Sequence, residues 1–167
     1  MPAEHIFRVT NKTKAMDKNK IYQQLALQAK SLTDGVDNAV GALGNVAALL
    51  KEELPYFYWV GFYVVRDNRL QLGPFQGPVA CYSIEKGKGV CGKAWEEAKT
   101  LIVPDVHQFP GHIACSSRSN SEIVVPVCND KGEVAAVIDV DSEEFSAFDT
   151  QDRLGLEEIA RIVAPFL

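Results

Sequence analysis

The sequence predicts an α+β fold in which helices pack beside a central antiparallel sheet. Three observations carry that expectation. Two amphipathic helical stretches open the chain. Five or six strand-like segments follow, joined mostly by hairpin turns and interrupted by one short helical stretch. A last amphipathic helix comes after them. Strands joined by hairpins run antiparallel, and the helices before and after them must bury their apolar faces against the sheet.

The elements follow in order. Residues 17–34 read as a helix, with Asp17 able to cap it and Ile21, Leu25, Ala29 and Leu32 recurring at helical spacing. "DGVDN" breaks that pattern. Val36, Val40, Leu43, Ala47 and Leu50 then form a second apolar stripe, in which Gly41 and Gly44 weaken the helix and permit close packing. "YFYWVGFYVV", 56–65, is aromatic and β-branched, a strand. "RDNR" turns the chain into a second strand, "LQLGPF", 70–75, and "VACYSI", 79–84, predicts a short third. "KGKGVCGKAWEEAK" begins with glycines and becomes helical from Val90 to Lys99, and "TLIVP" is a further strand. Residues 105–121 form a long polar loop with four serines. Loops beyond about 12–15 residues inside a compact domain are usually functional or disordered. "EIVVPVC" and "EVAAVIDVD" are strands joined by "NDKG", a hairpin signal. "DTQDRLGLEEIARIVAPF" is the last helix, with Asp149 as its cap and Asp152 three residues on.

A length of 167 residues fits one domain with a sizeable core. Residues 1–16 are expected to be a flexible N-terminal extension and 17–167 a single domain. The net charge of −5 weighs against nucleic acid as a partner, because phosphate binding wants a basic surface. The locally basic "NKTKAMDKNK" reads as a solvated entry to the first helix. "MPAEHIFRVTNK" is broken at Glu4, His5 and Arg8, which predicts no signal peptide. No apolar run approaches the roughly 18 residues that a membrane span requires. A cytoplasmic, reducing setting is expected, where cysteines are more often buried, metal-bound or redox-active than held in structural disulfides.

The chain has four cysteines. Cys81, Cys91 and Cys115 lie in or beside glycine-rich or loop segments, whereas Cys128 ends an apolar strand and reads as a small core residue. Their spacing is not that of a Cys-x-x-Cys site. Asp105, His107, His112 and Cys115 are residue types that ligate zinc, but their spacing matches no standard knuckle and no metal is expected. A redox reading needs an exposed thiol of lowered pKa and a second thiol within reach. Cys115 has His112 and Arg118 nearby. Cys91 lies at a predicted helix start, where backbone N–H groups favour a thiolate. Acids supply the other half of such chemistry. Asp139 and Asp141 alternate in "VIDVD" and so share one face of a strand. Glu122 begins another strand seven residues after Cys115. Carboxyls of this kind hold an amino group or, with one kept protonated, act as a general acid. Trp59 and Tyr63 read either as core or as walls of a small apolar pocket.

"GPFQGPVAC", "IEKGKGVCGKAW", "DVHQFPGHIACSSRSNSEIVVPV" and "VIDVDSEEFSAFDTQD" together resemble the free methionine-(R)-sulfoxide reductases, which are built on a GAF domain. The resemblance spans about residues 20–165. It implies reduction of free L-methionine-(R)-sulfoxide, with Cys115 attacking the sulfoxide sulfur while an acid protonates its oxygen. A Cys115 sulfenic acid remains, Cys81 attacks it to form a disulfide, and thioredoxin reduces that disulfide, so no cofactor is implied. Cys91 corresponds to the third cysteine of the family, as an alternative resolving thiol or attacker. Glu122, Asp139 and Asp141 correspond to its acidic pocket and Trp59 to a pocket wall. The resemblance and the apolar helical surface of residues 20–50 imply a homodimer. Where the family pattern leads one to expect an acid after the catalytic cysteine, this chain has Ser116. Loss of that charge eases thiolate formation at Cys115 or removes a hydrogen bond that shapes the loop. The alternative function is a GAF ligand-binding or redox-sensor module without turnover. Such modules are usually joined to an output domain, and none is read in this sequence.

Overall fold

A computed structural model describes residues 17–167; the extension expected over 1–16 lies outside the described residues. The first helix, α1 (Lys18–Thr33), starts where Asp17 accepts a hydrogen bond from the Lys20 amide. The second, α2 (Ala39–Glu53), is capped by Asn38, whose side chain accepts from the Gly41 amide at 3.0 Å. It starts three residues later than the apolar stripe alone suggests, because a helix begins at its cap and not at its first apolar residue.

The strands are β1 (Trp59–Arg66), β2 (Arg69–Gln76), β3 (Ser83–Ile84), β4 (Leu101–Val103), β5 (Ser121–Cys128) and β6 (Val134–Ser142). They form one antiparallel sheet in the order β3-β2-β1-β6-β5-β4. Asp67 and Asn68 both take positive φ at the β1–β2 turn, the geometry that matches strand twist in a two-residue hairpin. Helix α3 (Gly89–Glu97) lies between β3 and β4, and α4 (Thr150–Val163) follows β6.

The third strand is shorter than the expected 79–84. Pro78 has no amide to donate, and the Cys81 carbonyl accepts from the Tyr63 hydroxyl at 3.0 Å instead of joining the ladder. Pairing with β2 is resumed only near Tyr82, whose carbonyl accepts from the Leu72 amide at 2.9 Å.

Period-two alternation sorts the strands between two apolar layers. Val60, Phe62, Ile123, Val125, Ile138 and Val140 face a core shared with α1, α2 and α4. Trp59, Tyr63, Val124 and Val137 face the other way, into a core with Cys91, Ala94 and Trp95 of α3. The acids of β6 therefore lie on the α3 face.

One buried charge ties the helical layer together. Asp152, fully buried in the first turn of α4, accepts from the Tyr22 hydroxyl at 2.9 Å, from Tyr56 at 2.5 Å and from Lys18 Nζ. It also closes the capping box with the Asp149 amide at 2.8 Å. Removing one partner of a buried pair strands the others. Asp152→Ala is expected to cost about 3–5 kcal/mol of stability, read from the urea midpoint, with Asp152→Asn losing less because it keeps an acceptor. Equal midpoints for Asp152→Ala and wild type would show that the network contributes nothing.

Candidate active site

Sheet register assembles the acids. Glu122 of β5 lies opposite Asp141 of β6, which lies opposite Trp59 of β1. In the adjacent row on the same face, Val124, Asp139 and Gly61 are partners. Three carboxyls from two strands thus converge beside one indole. Two glycines make room for that indole. A Cβ on Gly61 would lie 2.7 Å from Trp59 Cη2, and one on Gly77, whose φ is +135°, would lie 2.6 Å from Trp59 Cδ1. Phe75 stacks on the ring at a centroid distance of 5.2 Å, and Nε1 donates to the Pro78 carbonyl at 3.0 Å. Trp59 is therefore fixed in orientation.

The thiols come from the opposite side. Cys81 and Cys115 form a disulfide across 34 residues, with Cα atoms 5.5 Å apart. Cys115 faces a cavity of about 40 Å³ that Trp59, Tyr63, Cys91, Glu122, Asp139 and Asp141 also line. The seven residues that the resemblance assigns to the site, Cys81 among them through its bond to Cys115, thus lie at or beside one place. His112, Ser119, Ile84 and Val90 are among the other lining residues, with Val79 and Ile113 at the rim. Sequence reading passed over Ser119, Ile84 and Val90, and weighed His112 only as a metal ligand or a neighbour of Cys115. A serine in a serine-rich loop and two aliphatics in short elements carry no signal of their own.

Two expectations for the cysteines are corrected. Cys91 is the third residue of α3, but it is buried, and desolvation together with the nearby Asp139 and Glu122 pushes its thiol well above its ordinary pKa. Burial and negative neighbours outweigh the helix terminus, so this thiol keeps its proton. Cys128 is exposed and not part of the core. It shares the strand face of Val124 and the half-buried Pro126, and that face opens to solvent at the strand end.

Burial favours the protonated form of each carboxyl. Burial, and then the charge of Asp141, raises Glu122 to about 8. Burial raises Asp139 and Asp141 well above the ordinary carboxylate range, with Glu122 acting next on Asp139, and Asp139 next on Asp141. Three acids in one dry pocket cannot all ionise. Burial also lowers the pKa of His112, whose Nε2 is 3.7 Å from Glu122 Oε2. That contact therefore joins a neutral imidazole to a carboxylic acid and is not an ion pair. Asp139 Oδ1 is buried with no hydrogen-bond partner among the described residues, a polar atom that a ligand in the cavity could engage.

The loop bearing Cys115 is pinned from outside. Arg118 pairs with Glu143 and lies 4.9 Å from the centroid of the Tyr58 ring. The Tyr58 hydroxyl is 3.4 Å from Ser116 Oγ, which accepts from the Arg118 amide at 3.2 Å. Ser116 thus supplies a loop-shaping acceptor without a charge beside Cys115. Asn120 donates to the Glu143 carbonyl at 2.7 Å, which fastens the far end.

The residues weighed as a zinc set are engaged elsewhere. Cys115 is bonded to Cys81, Asp105 accepts from the His107 amide at 3.0 Å, and His107 Nε2 is 3.0 Å from Asn120 Oδ1. Cys91, Glu122 and Asp139 do bring three donor atoms within 4.8 Å of one another. A metal there would have to displace protons that burial holds in place. The arrangement suits a ligand that donates hydrogen bonds or takes up a proton.

A GAF domain model matches residues 42–167 of the chain. The chain is 50% identical to GAF domain-containing protein A of Dictyostelium discoideum, over 87% of this chain and 92% of that one. It is 42% identical to the free methionine-R-sulfoxide reductase of Saccharomyces cerevisiae, over 96% of this chain and 91% of that one. The crystal structure of the free methionine-R-sulfoxide reductase of Neisseria meningitidis in complex with its substrate superposes with a TM-score of 0.87 at 43% identity, covering 99% of this chain and 95% of that one.

Proposed function

The chain belongs to the free methionine-(R)-sulfoxide reductases of the GAF family, and from that membership we propose that it reduces free L-methionine-(R)-sulfoxide to methionine. The observation that carries this reading is the Cys81–Cys115 disulfide set against a cavity lined by three buried carboxyls. Cys115 attacks the sulfoxide sulfur. An acid delivers its proton to the oxygen, which otherwise leaves poorly. In the adduct the hydroxyl passes from the substrate sulfur to Cys115 Sγ as the new sulfur–sulfur bond breaks, so that methionine departs and Cys115 is left as a sulfenic acid. Cys81 attacks that sulfur, water leaves, and the disulfide forms.

The acids divide the remaining work. The substrate's ammonium brings a positive charge that draws the proton from one carboxyl and pairs with the carboxylate. A second carboxyl remains protonated for the oxygen. Trp59 walls the methyl end. Ligand pockets usually span about 300–1,000 Å³. The cavity in the disulfide state is about 40 Å³, so the Cys115 loop withdraws after reduction to admit substrate. Carboxyls placed to pair with an ammonium favour a free amino acid over a peptide-bound residue, whose nitrogen is an uncharged amide.

Thioredoxin returns the disulfide to two thiols, a cycle that suits a reducing compartment such as the cytoplasm. No helix among the described residues is long and apolar enough to cross a membrane. Leu27 and Val40 expose apolar surface on α1 and α2, which supports a homodimer. The reading is tested by adding each epimer of free methionine sulfoxide to the reduced protein and titrating thiols. Two thiols are expected to disappear with the R epimer and none with the S epimer. A binding module without turnover would lose none with either.

A further inference from the structure

The disulfide has two sides, and the residues around them differ. Cys115 lines the cavity, whereas Cys81 does not. Cys81 lies in the segment between β2 and β3 and is flanked by two large apolar residues that the fold leaves in water. Val79, at the cavity rim, and Tyr82 are each 87% exposed, the highest values among the exposed large apolar residues. Ile113, two residues before Cys115, is 39% exposed. Their exposure is not looseness of the chain. The Cys81 carbonyl is held by the Tyr63 hydroxyl, and the Tyr82 carbonyl by the Leu72 amide. The backbone held at Cys81 and Tyr82 therefore presents Tyr82 beside a bond that must be broken from outside in every catalytic cycle, with Val79 and Ile113 at the mouth of the cavity that Cys115 lines. Exposed apolar clusters of this kind mark contact surfaces.

We propose that Val79, Tyr82 and Ile113 form the docking surface for a dithiol reductase protein, and that its thiolate attacks Cys81 and not Cys115. The proposal rests on the reductase reading above. A partner thiolate bonds to Cys81 Sγ, the Cys81–Cys115 bond breaks, and its electron pair leaves on Cys115 Sγ. The partner's second thiolate then attacks the partner's own sulfur in the mixed disulfide and releases Cys81 as a thiolate, which takes a proton. Two electrons pass from the partner dithiol to the two cysteines, and the partner leaves as a disulfide. Attack at Cys81 frees Cys115 on the cavity side, where the next substrate arrives, without the partner entering the acid-lined pocket.

The test compares two reductants on the oxidised full-length protein. For Tyr82→Ser, the second-order rate of reduction by thioredoxin is expected to fall roughly tenfold, as for loss of an aromatic anchor at an interface. Its rate with dithiothreitol stays at the wild-type value, and Tyr82→Phe restores most of the thioredoxin rate. A thioredoxin lacking its second thiol is expected to trap a mixed disulfide that peptide mapping places on Cys81. Unchanged thioredoxin rates, or equal slowing with both reductants, would overturn the docking surface. Trapping on Cys115 would overturn the assigned point of attack. A lower sedimenting mass of Tyr82→Ser with unchanged rates would give the surface to a second copy of the chain. Failure of the wild type to consume methionine sulfoxide with dithiothreitol would overturn the reductase reading itself, and is distinguishable from all of these.

Discussion

Cys115→Ser is expected to lower reduction of free methionine-(R)-sulfoxide by at least about a thousandfold, since loss of a nucleophile removes the covalent route entirely. Two thiols face the cavity, Cys115 and Cys91, and the prediction rests on their contrast. Cys91 is buried, its Sγ is 3.9 Å from Glu122 Oε1, and its thiol is pushed up by burial and by acids. The thiolate is the nucleophile, so a thiol held protonated reacts slowly. Cys115 is only half-buried, on a loop and not on a core helix, and its bond to Cys81 shows that a second sulfur reaches it. Cys81→Ser behaves differently: the first turnover proceeds, Cys115 gains one oxygen as a sulfenic acid, and thioredoxin-driven cycling stops. Single-turnover methionine release with mass analysis of the Cys115 peptide separates the two variants. Release surviving in Cys115→Ser and lost in Cys91→Ser would move the attack to Cys91.

The Cys91 result shows where sequence reading reached its limit. Period-two alternation placed Asp139 and Asp141 on one face of a strand, and the structure has them there. Nothing local in the sequence states that Glu122 pairs with Asp141, or that both lie over the start of α3. Those are facts of register, set by contacts distant in sequence. A glycine-rich helix start therefore looked like a place for a thiolate, while the fold fills it with carboxyls. Cys128 failed for the converse reason: the apolar run predicts burial, and the face it shares with Pro126 is open at the strand end. The helices and hairpins were legible because their signals are local. The short third strand was not, because the Tyr63 hydroxyl takes a carbonyl that a ladder would otherwise use. The Cys81–Cys115 pairing followed from the resemblance and not from spacing; the structure adds the face that each sulfur presents.

The alkaline side of the pH profile is expected to belong to Glu122. Its carboxyl is raised from 4.5 to about 8 by burial first and by Asp141 second, so it carries a proton at neutral pH. A general acid works only while protonated. In wild type, kcat/KM should therefore fall as pH rises through about 8. Glu122→Gln should lower kcat/KM by about 10²–10⁴-fold and remove that fall, since an amide has no acidic proton to lose. Stability provides a second readout that a merely altered pocket shape would not move. The folded-state pKa of Glu122 lies above its unfolded value, so between 4.5 and about 8 the folded protein binds the extra proton. Its contribution is complete below 4.5 and is lost as pH rises through about 8. The Tm of wild type should decline across that window, with Asp139 and Asp141 adding to the same slope because burial raises them in the same direction. Glu122→Gln should decline less. If the variant keeps the wild-type alkaline fall in kcat/KM, the proton comes from elsewhere, and Asp139, with its unpartnered oxygen beside the cavity, becomes the donor to test through Asp139→Asn. If the variant loses the fall and flattens the Tm curve together, one buried proton accounts for both the chemistry and the stability.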